Sequence, residues 1–334
     1  MVRVALLGAG FMGRMHGACY AAIPDAKVVA VADLREENAK EVAGKHGAKV
    51  YSKADGVFRR DDIDMVDICL PTYMHAKYAI KAAKAGLSIL CEKPMSHKPR
   101  EAKRMLEAVK VAGARFMCAH VIRFWPEYQV LKRFKDEGEL GRLLVLSCVR
   151  VSPKPTWTWE GWIVKHPLSG GALWDLHVHD VDFVRYFCGE PRKVDTVGAW
   201  SNDSGWDYVF TNYHYPDMAV SAEGGWNLPS SFPFEMAYRA VFEKGTLAFS
   251  SAKTPSLALY RPDGATEHPE VPKVGVGSAA GAGNISDLGG YYNEIRYFVD
   301  CVAQNKPVEM APIEDSCKTV ELCMAEQKSA ERKR

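Results

Sequence analysis

The stretch that most limits how this chain can fold lies at its start. Val2 to Leu7 is apolar apart from Arg3, runs straight into Gly8-Ala9-Gly10-Phe11-Met12-Gly13, and gives way to helical spacing from Met15 to Ile23. Gly-x-Gly-x-x-Gly between a buried strand and a helix is a dinucleotide-binding turn. The first glycine permits the tight bend and the second lets backbone approach a pyrophosphate. The third lets helix pack on strand, and the helix N-terminus turns free N–H groups toward the phosphates. Phe11 and Met12 sit inside that turn and count with the glycines as cofactor contacts. A second apolar run, Val28 to Ala32, ends in Asp33, about twenty residues beyond Gly13, where a carboxylate can accept hydrogen bonds from the adenosine ribose. Asp33 and its neighbour Leu34 point to NAD; Arg35, and less so Arg14, could meet a 2'-phosphate, so NADP stays open.

The alternation continues with Met65 to Leu70 as strand, Met74 to Ala85 as helix, Leu87 to Cys91 as strand, Pro99 to Ala112 as helix and Phe116 to Val121 as strand. Such alternation predicts a parallel, doubly wound sheet, whose ligands sit beyond the carboxyl ends of its strands. Three strand ends then point into one crevice: Pro71-Thr72 with His75, Glu92-Lys93-Pro94, and His120 to Phe124. Lys93 is the cation suited to hold a polar substrate against the cofactor, although a lysine before a proline is also ordinary surface chemistry. His75 reads equally as a cofactor contact and as a solvated cap, and Glu92 either tunes Lys93 or faces solvent.

Past Val121 the texture changes. An amphipathic helix from about Glu127 to Glu137 is followed by strand-like segments: Leu143 to Val151, Val194 to Trp200, Val209 to Tyr215, Ala219 to Trp226, Met236 to Phe242, Thr246 to Ser250 and Leu257 to Tyr260. Turns such as Tyr215-Pro216-Asp217-Met218 and Arg261-Pro262-Asp263-Gly264 join several of them, which predicts an antiparallel sheet. The expected fold is α/β: a Rossmann domain over 1–121, then an α+β domain over 122–334 with a large, mainly antiparallel open sheet. Gly275 to Gly290 reads as a mobile loop, either a substrate lid or a plain linker, and helices from Tyr291 to Gln304 and from Glu314 to about Arg332 close the chain.

Composition removes several classes of function. The 334 residues suggest about two domains, and 43 basic against 41 acidic side chains leave a formal charge of +2, poorly suited to nucleic acid or an anionic membrane. No apolar run approaches the roughly 20 residues that span a bilayer. The nine cysteines are scattered without a Cys-x-x-Cys pair, as reduced core thiols would be, so a cytoplasmic location is the expectation.

The densest group of reactive side chains is Gly170-Gly171-Ala172-Leu173-Trp174-Asp175-Leu176-His177-Val178-His179-Asp180. Read as a strand, it puts His177 and His179 on one face, an arrangement that holds zinc in several hydrolases. Read as a helix, it brings Asp175 and His179 together at i,i+4 while the histidines diverge. Leu173, Leu176, Val181, Val184 and Phe187 recur at helical intervals, which favours the helix and expects no metal. There Asp175 can orient the imidazole of His179 and stabilise its protonated form, as a general base for a hydroxyl requires; the bland reading has both side chains tying helix to sheet.

With Gly8-x-Gly10-x-x-Gly13, Asp33, Pro71-Thr72 with His75, Glu92-Lys93-Pro94, Arg123-Phe124-x-Pro126, Gly170-Gly171, Asp175 and His179-Asp180 in hand, the chain resembles the glucose-fructose oxidoreductase, inositol dehydrogenase and rhizopine-catabolism family (Gfo/Idh/MocA) over essentially its whole length. The resemblance implies a Rossmann domain plus a substrate domain whose open sheet often joins dimers or tetramers. It also implies that Lys93, Asp175 and His179 match the family's catalytic Lys, Asp and His; Arg123 and Trp162 are further candidates for the substrate side. The aromatic run Trp157-Thr158-Trp159-Glu160-Gly161-Trp162 has no counterpart to carry over: indoles suit sugar faces, and packing at a strand edge suits them equally. The expected function is NAD-dependent oxidation of a secondary alcohol of a sugar or cyclic polyol, His179 as acid/base and Lys93 stabilising the oxygen. Three alternatives stand beside it: an NAD-retaining redox glycosidase, a metal-dependent hydrolase using His177 and His179, and a nucleotide-sensing protein without turnover.

Overall fold

Val4 to Leu7 are completely buried, as a strand covered on both faces must be, and they form the centre of the first sheet. In the computed structural model, which describes residues 1–274 and 288–334, the chain begins β1 (Val2–Leu7), α1 (Phe11–Ala21), β2 (Ala26–Ala32), α2 (Glu36–His46) and β3 (Lys49–Tyr51). It continues through β4 (Met65–Ile68), α3 (Thr72–Lys84), β5 (Ser88–Glu92), α4 (Pro99–Ala112) and β6 (Phe116–Ala119). The strand order is β3-β2-β1-β4-β5-β6 and every pairing is parallel. This order reverses between β1 and β4, and the crevice for a ligand opens beyond the carboxyl ends there. The alternation in the sequence located five of these six strands. It passed over β3, a three-residue edge strand too short to carry a period.

The second sheet is built from long strands. After α5 (Pro126–Glu137) come β7 (Leu143–Pro153), α6 (His166–Ser169), a π-helical turn at Leu173–His177 and α7 (Val178–Cys188). Then follow β8 (Lys193–Ser201), β9 (Gly205–His214), β10 (Ala219–Leu228), β11 (Glu235–Phe242), β12 (Gly245–Ser250), β13 (Leu257–Tyr260) and β14 (Thr266–Glu267). The order is β14-β13-β12-β11-β7-β10-β9-β8, antiparallel throughout except for the parallel pair of β7 and β10. Strand alternation sorts its faces: in β9, Val209 and Tyr213 are buried, Tyr213 in a core that holds Tyr128 of α5 and Phe183 and Phe187 of α7, while Phe210 points outward. The chain closes with α8 (Gly289–Ala303) and α9 (Ile313–Glu331).

Contacts divide the chain into two compact units, one of residues 1–121, 158–162 and 274–320, the other of 122–157, 163–273 and 321–334. The break after Val121 falls where the sequence texture changes. A single cut there gives α8 to the second part, whereas α8 packs with α1 in the first. Of the glycine-rich run expected as lid or linker, residues 275–287 lie outside the described residues, and Gly289 and Gly290 open α8. Among the described residues no helix is long and apolar enough to cross a membrane.

Candidate active site

The glycine turn has the steric form its spacing demands. A side chain on Gly8, whose φ is +97°, would put Cβ 2.4 Å from the Cys69 carbonyl oxygen, and one on Gly13 would lie 2.0 Å from the carbonyl oxygen of Gly8. Over Gly10 the space is open, the nearest atom being Arg35 Nη2 at 3.9 Å. No side chain caps the N-terminus of α1 at Gly10, the end of a helix where anions are received. Asp33 braces the turn: its Oδ2 accepts the Ala9 N–H at 2.7 Å and its Oδ1 accepts the Arg35 N–H at 2.8 Å. An open backbone cradle, a bare helix N-terminus and an acid at the end of β2 fit a dinucleotide, with Asp33 on the ribose. Leu34 is largely exposed beside it, whereas Arg14 turns to Glu41 at 3.1 Å and so away from a 2'-phosphate role.

Pro71 caps α3, Thr72 begins it, and β5 ends in Glu92 with Lys93 directly after it. His75, expected as a cofactor contact or a solvated cap, has both ring nitrogens beside backbone carbonyls. It is buried with Nδ1 2.9 Å from the Pro94 carbonyl oxygen and Nε2 2.7 Å from that of Leu70, so it clamps the corners that follow β4 and β5. Burial holds its pKa below the usual value, opposed by those two carbonyls. Glu92 does not face solvent either. It is 5% exposed, one oxygen lies 3.1 Å from His16 Nε2, and the other accepts the Lys93 N–H at 3.0 Å. The half-buried Lys93 thus follows a fixed carboxylate at the carboxyl edge of the sheet.

In the second unit the segment from Leu173 onward is helical, as the apolar spacing indicated, but it opens with the π-helical turn rather than a plain α-helix. Gly171 is needed before it, because a Cβ there would meet the Ser204 carbonyl oxygen at 2.3 Å. Asp175 in the π turn and His179 in α7 are both half-buried, while His177 is fully buried with Nε2 3.1 Å from Glu326 Oε2. The His-x-His zinc arrangement required a strand, and the helix removes it. Among the described residues, the group whose donor atoms converge closely enough for a metal is instead His16, Asp67 and Cys69, in the first unit.

Arg123, expected at the substrate, is engaged by side chains of the second unit. Its guanidinium is 4% exposed and donates twice to Asp182, at 2.7 Å each, while lying over the Tyr186 ring. Asp180 is held in the same way by Arg150 at 2.7 Å, a pair the sequence did not suggest. Such buried charge pairs fix α7 against its surroundings, and breaking one costs about 3–5 kcal/mol. Trp162, half-buried, meets the Tyr73 ring edge-on at 6.4 Å, and Trp157 is mostly exposed. Lys93 belongs to the first unit, Asp175 and His179 to the second.

Two family models match successive parts of the chain. Residues 2–120 match the family described as "Oxidoreductase family, NAD-binding Rossmann fold", and residues 128–248 match "GFO/IDH/MocA C-terminal domain". A levoglucosan dehydrogenase of Pseudarthrobacter phenanthrenivorans is 35% identical over 213 residues, 59% of this chain and 53% of that one. An inositol 2-dehydrogenase of Rhizobium meliloti is 33% identical over 199 residues, 59% of this chain and 58% of that one. The chain thus spans a little over half the length of these curated relatives. Among solved structures, a putative myo-inositol dehydrogenase from Sinorhizobium meliloti 1021 has a TM-score of 0.82 at 26% identity, covering 100% of this chain and 98% of that one. A levoglucosan dehydrogenase in complex with NADH and levoglucosan has the same fold, with a TM-score of 0.84 at 24% identity over 100% of this chain and 98% of that one.

Proposed function

The chain belongs to the Gfo/Idh/MocA oxidoreductase family, with an NAD-binding Rossmann domain over residues 2–120, and from that premise we propose that it is an NAD-dependent dehydrogenase of a sugar or cyclic polyol. The observation that carries this reading is the fixed Glu92-Lys93 corner at the carboxyl edge of the sheet that also bears the glycine turn and Asp33. When bound, NAD supplies the acceptor for a hydride leaving the substrate carbon. The imidazole of His179 removes the hydroxyl proton, Asp175 orients that imidazole, and the ammonium of Lys93 stabilises the negative charge that develops on the oxygen. Pro71 and Thr72 line the cofactor side, and Trp162 offers its indole ring to a face of the sugar.

Two further assignments accompany this reading. The nine free thiols suit a reducing compartment, and we assign the chain to the cytoplasm. Val145, Val197, Phe210 and Tyr260 lie exposed on one face of the large sheet, which supports a homodimer or homotetramer formed through that face. The test of function is a screen with NAD and NADP against inositols, aldoses, uronic acids and nucleotide sugars, read as formation of reduced cofactor. The reading expects one clear polyol or sugar winner with NAD, and no turnover across the screen would overturn it.

A further inference from the structure

Behind Lys93 lies a row of buried polar side chains that no step of the proposed reaction uses. Tyr20 donates its hydroxyl to Asp67 Oδ2 at 2.9 Å, and His16 Nδ1 lies 2.8 Å from the same oxygen. The opposite nitrogen, Nε2, is 3.1 Å from Glu92 Oε1, and Glu92 Oε2 accepts the Lys93 N–H at 3.0 Å. The side chains of His16 and Asp67 are wholly inaccessible and that of Glu92 is 7% exposed. Four elements contribute: α1, β4, β5 and the residue after β5.

An imidazole with a carboxylate at each nitrogen can satisfy both only when both nitrogens carry protons; a neutral ring would turn a lone pair toward one of them. Its surroundings agree. Burial works to lower the pKa of His16, but the charge and hydrogen bond of Asp67, aided by Cys69, outweigh it and hold the value well above normal. Also near it are Tyr20 and Cys19 on its own helix, Cys69 after β4, Tyr291 of α8 with its ring centroid 6.2 Å away, and the buried carboxylate Glu294 of α8, which acts on Cys19. Cys69 Sγ lies 3.5 Å from Asp67 Oδ1, and burial raises its pKa, so it acts as a thiol donor and not as a thiolate metal ligand. The close approach of His16, Asp67 and Cys69 is therefore a proton-filled hydrogen-bond cluster.

We infer that His16 is a positioning residue: anchored by Asp67, it fixes the Glu92 carboxylate, which in turn holds the Lys93 amide and so sets where the Lys93 ammonium meets the substrate oxygen. The inference rests on the reading of Lys93 as the oxygen-binding cation. Its energetic logic is geometric, since a displacement of about 1 Å at a reacting group can cost about 10²-fold in rate.

The test uses the full-length chain with NAD and the best substrate of the screen. His16→Leu should lose about 10²-fold in kcat, with the Kd for NAD unchanged. His16→Gln, whose amide can still donate to Glu92, should recover most of that loss, whereas His16→Asn, which reaches only Asp67, should not. A purely structural role would weaken all three alike, and that result, or unimpaired kcat in His16→Leu, would overturn the inference. Lys93→Ala in the same assay separates the two levels: an inactive Lys93→Ala beside a fully active His16→Leu leaves the proposed function standing and removes this inference. An active Lys93→Ala removes both. Independent of turnover, 15N spectra of the histidine rings in the wild-type chain at pH 8 should show His16 protonated at both nitrogens, and a neutral ring would overturn the account.

Discussion

Asp33 accepts the N–H of Ala9 at 2.7 Å, so the acid at the end of β2 holds the backbone of the glycine turn. On the proposed function the same carboxylate would also meet the ribose of the cofactor. Asp33→Ala should weaken NAD binding by about 1.5–3 kcal/mol, the range for a charge-assisted hydrogen bond, with a smaller change for NADP. Calorimetric titration of both cofactors checks this, and an unchanged Kd for NAD would contradict it.

The buried pair of Arg123 and Asp182 separates structure from substrate binding. Arg123→Met should lower unfolding stability by about 3–5 kcal/mol, because it leaves the Asp182 charge buried without its partner, and the double variant Arg123→Met/Asp182→Leu should regain much of the loss. Urea denaturation followed by fluorescence reads both. If Arg123 instead gripped the substrate, the single variant would raise KM at unchanged stability.

How far the sequence reached follows from what each signal depends on. Glycine spacing and the strand–helix alternation are local patterns, and they located β1, β2, β4, β5 and β6 and the turn that receives a dinucleotide. The apolar rhythm also decided between helix and strand for the segment bearing Asp175 and His179. It did not foresee the π-helical turn at Leu173–His177, whose wider i→i+5 hydrogen-bonding the apolar spacing was not read for. For Arg123, His75 and Glu92 the sequence left the surroundings open for one reason: whether a polar residue at a strand end faces ligand or interior depends on partners remote in sequence, here Asp182, Pro94 and His16. His16 was passed over inside a helix read for its apolar residues. The available signal was a histidine between Met15 and Gly17 in a helix that follows a buried strand; all three are buried, a place where an ionisable group must have a partner.

Linkage gives the charged cluster a pH signature. The raised pKa of His16 means that its contribution to stability is fully present below the ordinary histidine value of about 6.5 and is lost as pH rises through the higher folded value. For Glu92, burial works to raise the pKa, but His16 and Lys93 outweigh it and leave it lowered, so its contribution is present above the usual carboxylate range and is lost as pH falls through the folded value. The stability difference between the wild-type chain and His16→Gln should therefore hold between about pH 5 and 6.5 and narrow as pH rises into the alkaline range. Denaturation at a series of pH values checks it, and a difference that widens with rising pH would contradict it.

The account stands most directly on the rate of NAD reduction by Lys93→Ala and His179→Ala, measured with the best polyol of the screen beside each variant's Kd for NAD. Each variant should lose turnover by at least about 10²-fold while binding NAD as the wild-type chain does. Turnover retained in either, with the cofactor bound normally, would contradict the role assigned to that residue and with it the proposed chemistry of the site.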